Sequence, residues 1–95
     1  MQEKIRLNEL VQEYVAEINY KAGDFITWKP GMRVCTFPEV GAAAIAVELV
    51  PGRKEQNGDP AAFTFPRDVR VAVLTPGGEL FMFWQDSHRF VKDEL

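Results

Sequence analysis

The sequence predicts an α+β fold, mainly β, in which one N-terminal amphipathic helix packs on a small five-stranded barrel. The apolar periodicity is helical over residues 3–20 and changes to a period of two after Gly23. The short apolar segments that follow are separated by proline and glycine turns, as expected for strands. Closing such short strands into a barrel removes the exposed edges of the sheet. The 95 residues are expected to form one domain, residues 1–95.

Residues 3–20, EKIRLNELVQEYVAEINY, are predicted to form the helix. Apolar side chains recur at helical spacing, and glutamates occupy the remaining positions. The apolar positions are Ile5, Leu7, Leu10, Val11, Tyr14, Val15 and Ile18. No glycine or proline interrupts the segment, and Gly23 is well placed to end it. This stripe needs a cover, either the barrel or a second copy, so a homodimer through the helix is one expected assembly.

The remaining elements follow from alternation and turn chemistry. The predicted strands are residues 24–29, 43–50, 69–74, 79–84 and 88–91, with a short strand over 32–37. Thr75-Pro76-Gly77-Gly78 is expected to join two of them in a hairpin, and the valines of 69–74 are expected to point inward. Residues 51–62 are expected to form a surface loop. Asp86 is expected to cap a single helical turn at 85–87.

The run Leu80-Phe81-Met82-Phe83-Trp84 is apolar on both faces of its predicted strand. One set of side chains can fill the barrel, and the other set needs a cover. The N-terminal helix is expected to provide that cover. The alternative is that Phe81 and Phe83 remain on the surface as a partner site, because exposed aromatic clusters usually mark interfaces.

The residue types at Asp86, Ser87 and His88 are those of a catalytic triad, but their spacing is not. Neighbouring side chains point apart, whereas a nucleophile and its base must converge. No Gly-x-Ser-x-Gly elbow surrounds the serine. One cysteine and one histidine cannot build a zinc site of the usual kind. We therefore expect a protein that is not an enzyme, with no catalytic residue, no cofactor and no metal site.

The net charge is −3, without a basic stripe, which disfavours nucleic acid as the partner. Binding of RNA or DNA stays open as an alternative, because several cations could share a face with aromatic rings. Those residues are Lys29, Arg33, Arg67, Arg70 and Arg89, with Trp28 and Phe37.

The sequence has no continuous apolar run long enough to span a membrane and no signal-peptide pattern. The single cysteine, Cys35, suits a reducing compartment, so we expect a cytoplasmic protein. The compact sequence and its lack of targeting features suggest a bacterial or phage origin. The last four residues, KDEL, spell the endoplasmic-reticulum retrieval signal, but no leader accompanies them. We therefore interpret them as a charged, frayed tail.

Residues 23–92 resemble an SH3-like barrel. The resemblance depends on the Gly23-Asp24 step into Phe25-Ile26-Thr27-Trp28, on the late hairpin, and on the one-turn helix before the last strand. The opening, followed by Ala44-Ile45-Ala46-Val47, is also similar to that of MazF/PemK-like toxin ribonucleases. In that family an arginine before the proline-alanine of the second main strand serves RNA cleavage. Here Gly41-Ala42-Ala43 replaces it, which implies at most a degenerate ribonuclease.

Together these observations predict a small non-catalytic interaction module whose partner is another protein or a second copy. The candidate surface is formed by the loop Lys29–Phe37 and the aromatic end of the barrel, since such barrels use loops and aromatics for recognition. The candidate binding residues are Trp28, Lys29, Arg33, Phe37, Trp84 and Arg89.

Overall fold

The computed structural model describes residues 2–56 and 64–94. It has an α+β fold with one N-terminal helix and a five-stranded antiparallel sheet. Its elements are α1 (Gln2–Val15), β1 (Phe25–Trp28), β2 (Ala44–Leu49), β3 (Lys54–Gln56), β4 (Thr64–Pro66), β5 (Val69–Leu74), β6 (Leu80–Gln85), a 3₁₀ helix (Ser87–Arg89) and β7 (Phe90–Lys92). No helix in the described parts of the chain is long and apolar enough to cross a membrane.

The five strands of the sheet lie in the order β6-β5-β2-β1-β7, and every neighbouring pair is antiparallel. β3 and β4 form a separate hairpin in the connection between β2 and β5. Over residues 2–56 and 64–94, no strand pairing joins β6 to β7. The predicted α+β class and five-stranded sheet are confirmed, but hydrogen bonds do not close the sheet into a barrel.

Several predicted boundaries were wrong; the last strand, for example, is Phe90–Lys92 and not residues 88–91. The helix ends at Val15 instead of residue 20, because Ile18 and Tyr20 leave the helical path to pack against the core. Residues 32–34 have no regular structure and residues 35–37 form bends, without the predicted strand. In the predicted loop 51–62, residues 54–56 form β3, whereas 57–62 lie outside the described residues.

The core lies on one face of the sheet. Its buried members are Tyr20, Ile26, Trp28, Ala44, Ala46, Val69, Val71, Val73 and Phe90. Trp28 and Phe90 stack with their ring centroids 4.4 Å apart. The three valines of β5 point inward, as alternation predicted, because a strand with one buried face needs an apolar residue at every second position.

The hairpin between β5 and β6 confirms the turn prediction. The N–H of Gly78 donates to the carbonyl of Thr75 at 2.8 Å, and the N–H of Thr75 donates to the carbonyl of Glu79 at 2.9 Å. Gly78 has a φ of +81°, the left-handed conformation that closes a three-residue hairpin loop and that glycine adopts without steric cost.

α1 contacts the sheet domain along its second half. The Nζ of Lys29 donates to the carbonyl of Glu13, and the hydroxyl of Tyr14 donates to Asp86. The Nδ1 of His88 lies 3.1 Å from the carbonyl oxygen of Ala16, in position to donate to it.

Near the middle of α1 the backbone of Gly31 passes close to the helix. A Cβ at Gly31 would lie 3.0 Å from a methyl group of Leu10, and the φ of +76° also favours glycine there. The expected cover of β6 by the helix was wrong, because α1 lies against the 29–32 loop and the 3₁₀ helix. Leu80 and Phe81 are left 67% and 48% exposed.

The C-terminal residues continue the sheet. Lys92 pairs with Ile26, and its N–H donates to the side-chain oxygen of Asn19 at 3.0 Å. The N–H of Asp93 donates to the carbonyl of Phe25 at 2.9 Å. The predicted frayed tail was therefore wrong for Lys92 and Asp93.

Candidate functional site

Two of the six predicted site residues serve the interior. Trp28 is buried against Phe90, and its indole N–H donates to the carbonyl of Pro38 at 2.6 Å. Lys29 is also buried, with its ammonium group bound to the end of α1. Neither side chain presents a free surface to a partner.

Two further site residues are arginines that bond within the chain. The guanidinium of Arg33 donates to the carbonyls of Cys35 and Thr36 at 3.0 and 2.7 Å. Arg89 donates to the carbonyl of Met32 at 3.2 Å, and its Nε lies 3.6 Å from Asp86. These contacts stabilise the loop after β1. They also engage the two guanidinium groups that a phosphate would otherwise bind.

The remaining two, Phe37 and Trp84, line an apolar groove of about 660 Å³ beside β6. We call it the β6 groove. Its lining residues are Cys35, Thr36, Phe37, Thr75, Phe81, Phe83, Trp84 and Gln85. No charged side chain is among them. Aromatic rings with a few uncharged polar groups are typical of a site for an apolar ligand.

Phe81 and Phe83 form one wall of the β6 groove. Their rings stack with centroids 5.6 Å apart. Phe83 packs against the core, whereas Phe81, two residues nearer the hairpin, is 48% exposed. At the far end, the amide of Gln85 lies 3.5 Å from the sulfur of Cys35, whose thiol donates to the carbonyl of Phe37 at 3.1 Å. The groove therefore has a packed floor and an open apolar rim.

The strand that carries these rings is an edge of the sheet. Because Thr75 and Glu79 form a hydrogen-bonded pair, the alternation of an antiparallel ladder turns the backbone of Leu80, Met82 and Trp84 away from β5. Their N–H and C=O groups thus face the free edge, alongside the groove. An edge of this kind can accept a further strand.

Trp84 is held in place by a cation. The guanidinium of Arg53 lies 3.8 Å from the centroid of its ring, and the same side chain donates to the carbonyl of Arg67 at 2.8 Å. Arg53 also lies 3.5 Å from Glu55. Stacking on a guanidinium restricts the ring. Because side chains alternate along a strand, Trp84 points to the face of β6 opposite Phe81 and Phe83, so it borders the groove without belonging to the same wall.

Asp86, Ser87 and His88 form structural contacts and not a relay. The hydroxyl of Ser87 donates to Asp68 at 2.7 Å, and the imidazole contacts Ala16. Asp86 accepts from the N–H of His88 at 3.1 Å and caps the 3₁₀ helix, as the sequence predicted, although that helix spans Ser87–Arg89 and not residues 85–87. Across residues 2–56 and 64–94, no group of three potential metal ligands comes together.

The two tyrosines of the chain lie near the carboxylates of Asp68 and Asp86. Burial, and then the hydrogen bond to Asp86, raises the pKa of Tyr14 to about 12. Burial and the charges of Asp68 and Asp86 raise the pKa of Tyr20 well above its ordinary value of 10.0. The hydroxyl of Tyr20 donates to the carbonyl of Ser87 at 2.6 Å. Both phenols are therefore held in the neutral form.

We expect neither tyrosine to ionise near pH 10 in the folded protein. Because both folded pKa values lie above the unfolded value, their contribution to stability is complete below about pH 10 and falls as the pH rises through about 12. Phenolate absorbance measured during titration of the native and the urea-unfolded chain tests this. In Tyr14→Phe the earlier native transition should disappear, and a native titration centred near pH 10 would contradict the assignment.

Comparison with protein-family models, curated proteins and solved structures found no match to the chain. The site is therefore defined by its geometry alone. Sequence reasoning identified Phe37, Trp84 and, as an alternative surface, Phe81 and Phe83. It placed Cys35 in the candidate loop Lys29–Phe37 but missed Thr75 and Gln85, because the fold brings these residues beside that loop from distant parts of the chain. Recognising β6 as an edge strand would have pointed to them.

Proposed function

We propose that this chain is a small, non-catalytic protein-recognition module that binds an extended apolar segment of a partner protein along β6. The observation that carries the proposal is the apolar β6 groove directly beside the free edge of the sheet. A partner strand can pair with the edge and place alternate side chains in the groove. This mode of recognition takes affinity from main-chain hydrogen bonds and specificity from side-chain pockets.

The proposed architecture is an SH3-like barrel. The strand order supports it, because β7 returns to pair with β1 directly after the 3₁₀ helix, and the hairpin of β5 and β6 lies at the other edge. The buried cluster that contains Trp28 and Phe90 would form the core of such a barrel. A cytoplasmic setting is proposed as well, since Cys35 is a free thiol.

The chemistry of the groove favours a protein over a nucleic acid. RNA and DNA binding draws most of its affinity from cations that neutralise phosphates. The lining of the β6 groove carries no charge, and Lys29, Arg33 and Arg89 bond to carbonyls or carboxylates of the chain itself. The overall charge of −3 points the same way.

A proline at Met82 tests strand pairing directly. Selection from a displayed library of random linear peptides should yield ligands with apolar residues at alternate positions. Met82→Pro removes the N–H that faces the free edge, and proline is tolerated in an edge strand at such a position. We expect it to weaken binding of a selected peptide about tenfold or more, measured by fluorescence polarisation, because one main-chain hydrogen bond is lost and the ring obstructs the partner.

Met82→Thr is the matched control, because it changes the same side chain but keeps the N–H, and it should retain binding. Phe81→Ser should also reduce binding while the domain stays folded, since this ring is about half exposed. Equal affinity of Met82→Pro and Met82→Thr would contradict pairing at the edge. Tight peptides without apolar residues would contradict the use of the groove.

A further inference from the structure

An apolar stripe on α1 has no cover within the described chain. Leu7, Val11 and Val15 are 62%, 46% and 60% exposed. They are spaced by four residues and so lie along one line of the helix. The neighbouring positions Leu10 and Tyr14 face the sheet domain, near Gly31 and Met32. We call Leu7, Val11 and Val15 the α1 stripe.

The helix needs more packing than the monomer gives it. It has 14 residues, and none of its side chains is buried by the described remainder of the chain. Isolated helices of this length are marginal in water, and helices in proteins gain most of their stability from an amphipathic face packed against something. Its anchors to the sheet domain lie in its second half, through Leu10, Glu13 and Tyr14. The α1 stripe is therefore the place where further packing belongs.

We propose that the α1 stripe of one copy packs antiparallel against the α1 stripe of a second copy, about a twofold axis at Val11. In this arrangement Val11 meets Val11, and Leu7 of each copy meets Val15 of the other. A twofold contact uses the same surface on both subunits, so it requires a self-complementary stripe, and this spacing provides one. The dimer uses a surface separate from the β6 groove and does not depend on the function proposed for it.

The charges at the ends of the helix complement the antiparallel direction. The last turn of α1 carries no basic residue of its own, and Glu9 and Glu13 make its second half acidic, although Lys29 binds the carbonyl of Glu13. Lys4 precedes Leu7 by three residues and lies on the same side of the helix. Antiparallel pairing carries Lys4 of each copy to the C-terminal end of the other helix. A parallel pair would place the two lysines side by side.

The size of the contact predicts a weak dimer. α1 is about 21 Å long. A cavity of about 230 Å³ between α1 and the 31–32 loop shares Val11 with the stripe and can accept side chains of the second copy. Even with this cavity, one helix pair falls short of the roughly 800 Å² per partner of a standard interface. We therefore expect dissociation constants in the micromolar range, with dimer at high concentration.

Sedimentation velocity from about 1 µM to about 1 mM tests the dimer. The wild type should shift from monomer to dimer across this range. Val11→Glu should weaken association at least tenfold, because two buried like charges meet at the axis. Ile5→Glu is the matched control: Ile5 is 59% exposed but lies about 120° around the helix from Val11. It should dimerise as the wild type does.

Crosslinking tests the axis. In a Cys35→Ser background, whose hydroxyl can still donate to Phe37, Val11→Cys should form a disulfide dimer under mild oxidation and Ile5→Cys should not. Circular dichroism confirms that each variant is folded. A wild type that stays monomeric to about 1 mM, equal effects of the two glutamates, or equal crosslinking at the two positions would each overturn the proposal.

Discussion

Replacing Phe90 with alanine is expected to lower the free energy of unfolding by about 3–5 kcal/mol. Phe90 has no exposed surface, and its ring stacks on Trp28 at a centroid distance of 4.4 Å. It also begins β7, which joins the end of the chain to β1. Because whole domains of this size are stable by about 5–15 kcal/mol, the variant should be largely unfolded under mild denaturation.

Urea denaturation followed by tryptophan fluorescence measures this loss, since Trp28 reports on the same cluster. Leu74→Ala is the control: Leu74 is 72% exposed, and its truncation should change stability by no more than about 0.5 kcal/mol. A loss below about 1 kcal/mol in Phe90→Ala would show that the ring is not part of a packed core.

Replacing Asp86 with alanine is expected to cost about 3 kcal/mol. This carboxylate is 3% exposed, caps the 3₁₀ helix and accepts the hydroxyl of Tyr14. Alanine removes the cap, leaves the phenol without its acceptor and separates Arg89 from its partner charge. The variant should therefore lose stability and also release the end of α1.

Chemical denaturation measures the first effect, and hydrogen exchange of the α1 amides measures the second. Tyr14→Phe removes only the helix contact and should cost about 1 kcal/mol. The Asp86→Ala and Tyr14→Phe changes should not be additive, because both remove the same hydrogen bond. Additive losses, or unchanged exchange in α1 of Asp86→Ala, would show that this contact does not hold the helix.

Local patterns predicted the central strands well. The valines at 69, 71 and 73 alternate with more exposed residues, and alternation of that kind is typical of a strand with one buried face. Thr75-Pro76-Gly77-Gly78 contains the residues that a tight hairpin requires, so the hairpin followed from turn chemistry. In both cases the information lies within a few neighbouring residues.

Local sequence patterns could not predict where the helix packs. An amphipathic stripe indicates that the apolar face of the helix must be buried, but it does not indicate which surface buries it. The helical spacing continues through Ile18, but the packing of Ile18 and Tyr20 on the core draws the chain out of the helix. A tertiary contact thus overrode the local preference at residues 16–20.

The same contrast between local patterns and tertiary contacts holds for the candidate site. Aromatic residues at Trp28 and Trp84 have similar neighbours in sequence, yet one is core and the other lines the β6 groove. The cations at Lys29 and Arg33 look free in sequence but bond to backbone carbonyls. Such partners lie on other segments or depend on the turn of a loop. Spacing alone carries no information about them.

The way α1 is held has a consequence for how this chain can vary over evolution. Lys29 and His88 contact the carbonyls of Glu13 and Ala16, and every amino acid supplies a carbonyl. The side chains at positions 13 and 16 can therefore be substituted without loss of these two backbone contacts. Related chains would be free to diversify the outer surface of α1, and with it the choice of assembly, while inheriting an unchanged docking arrangement.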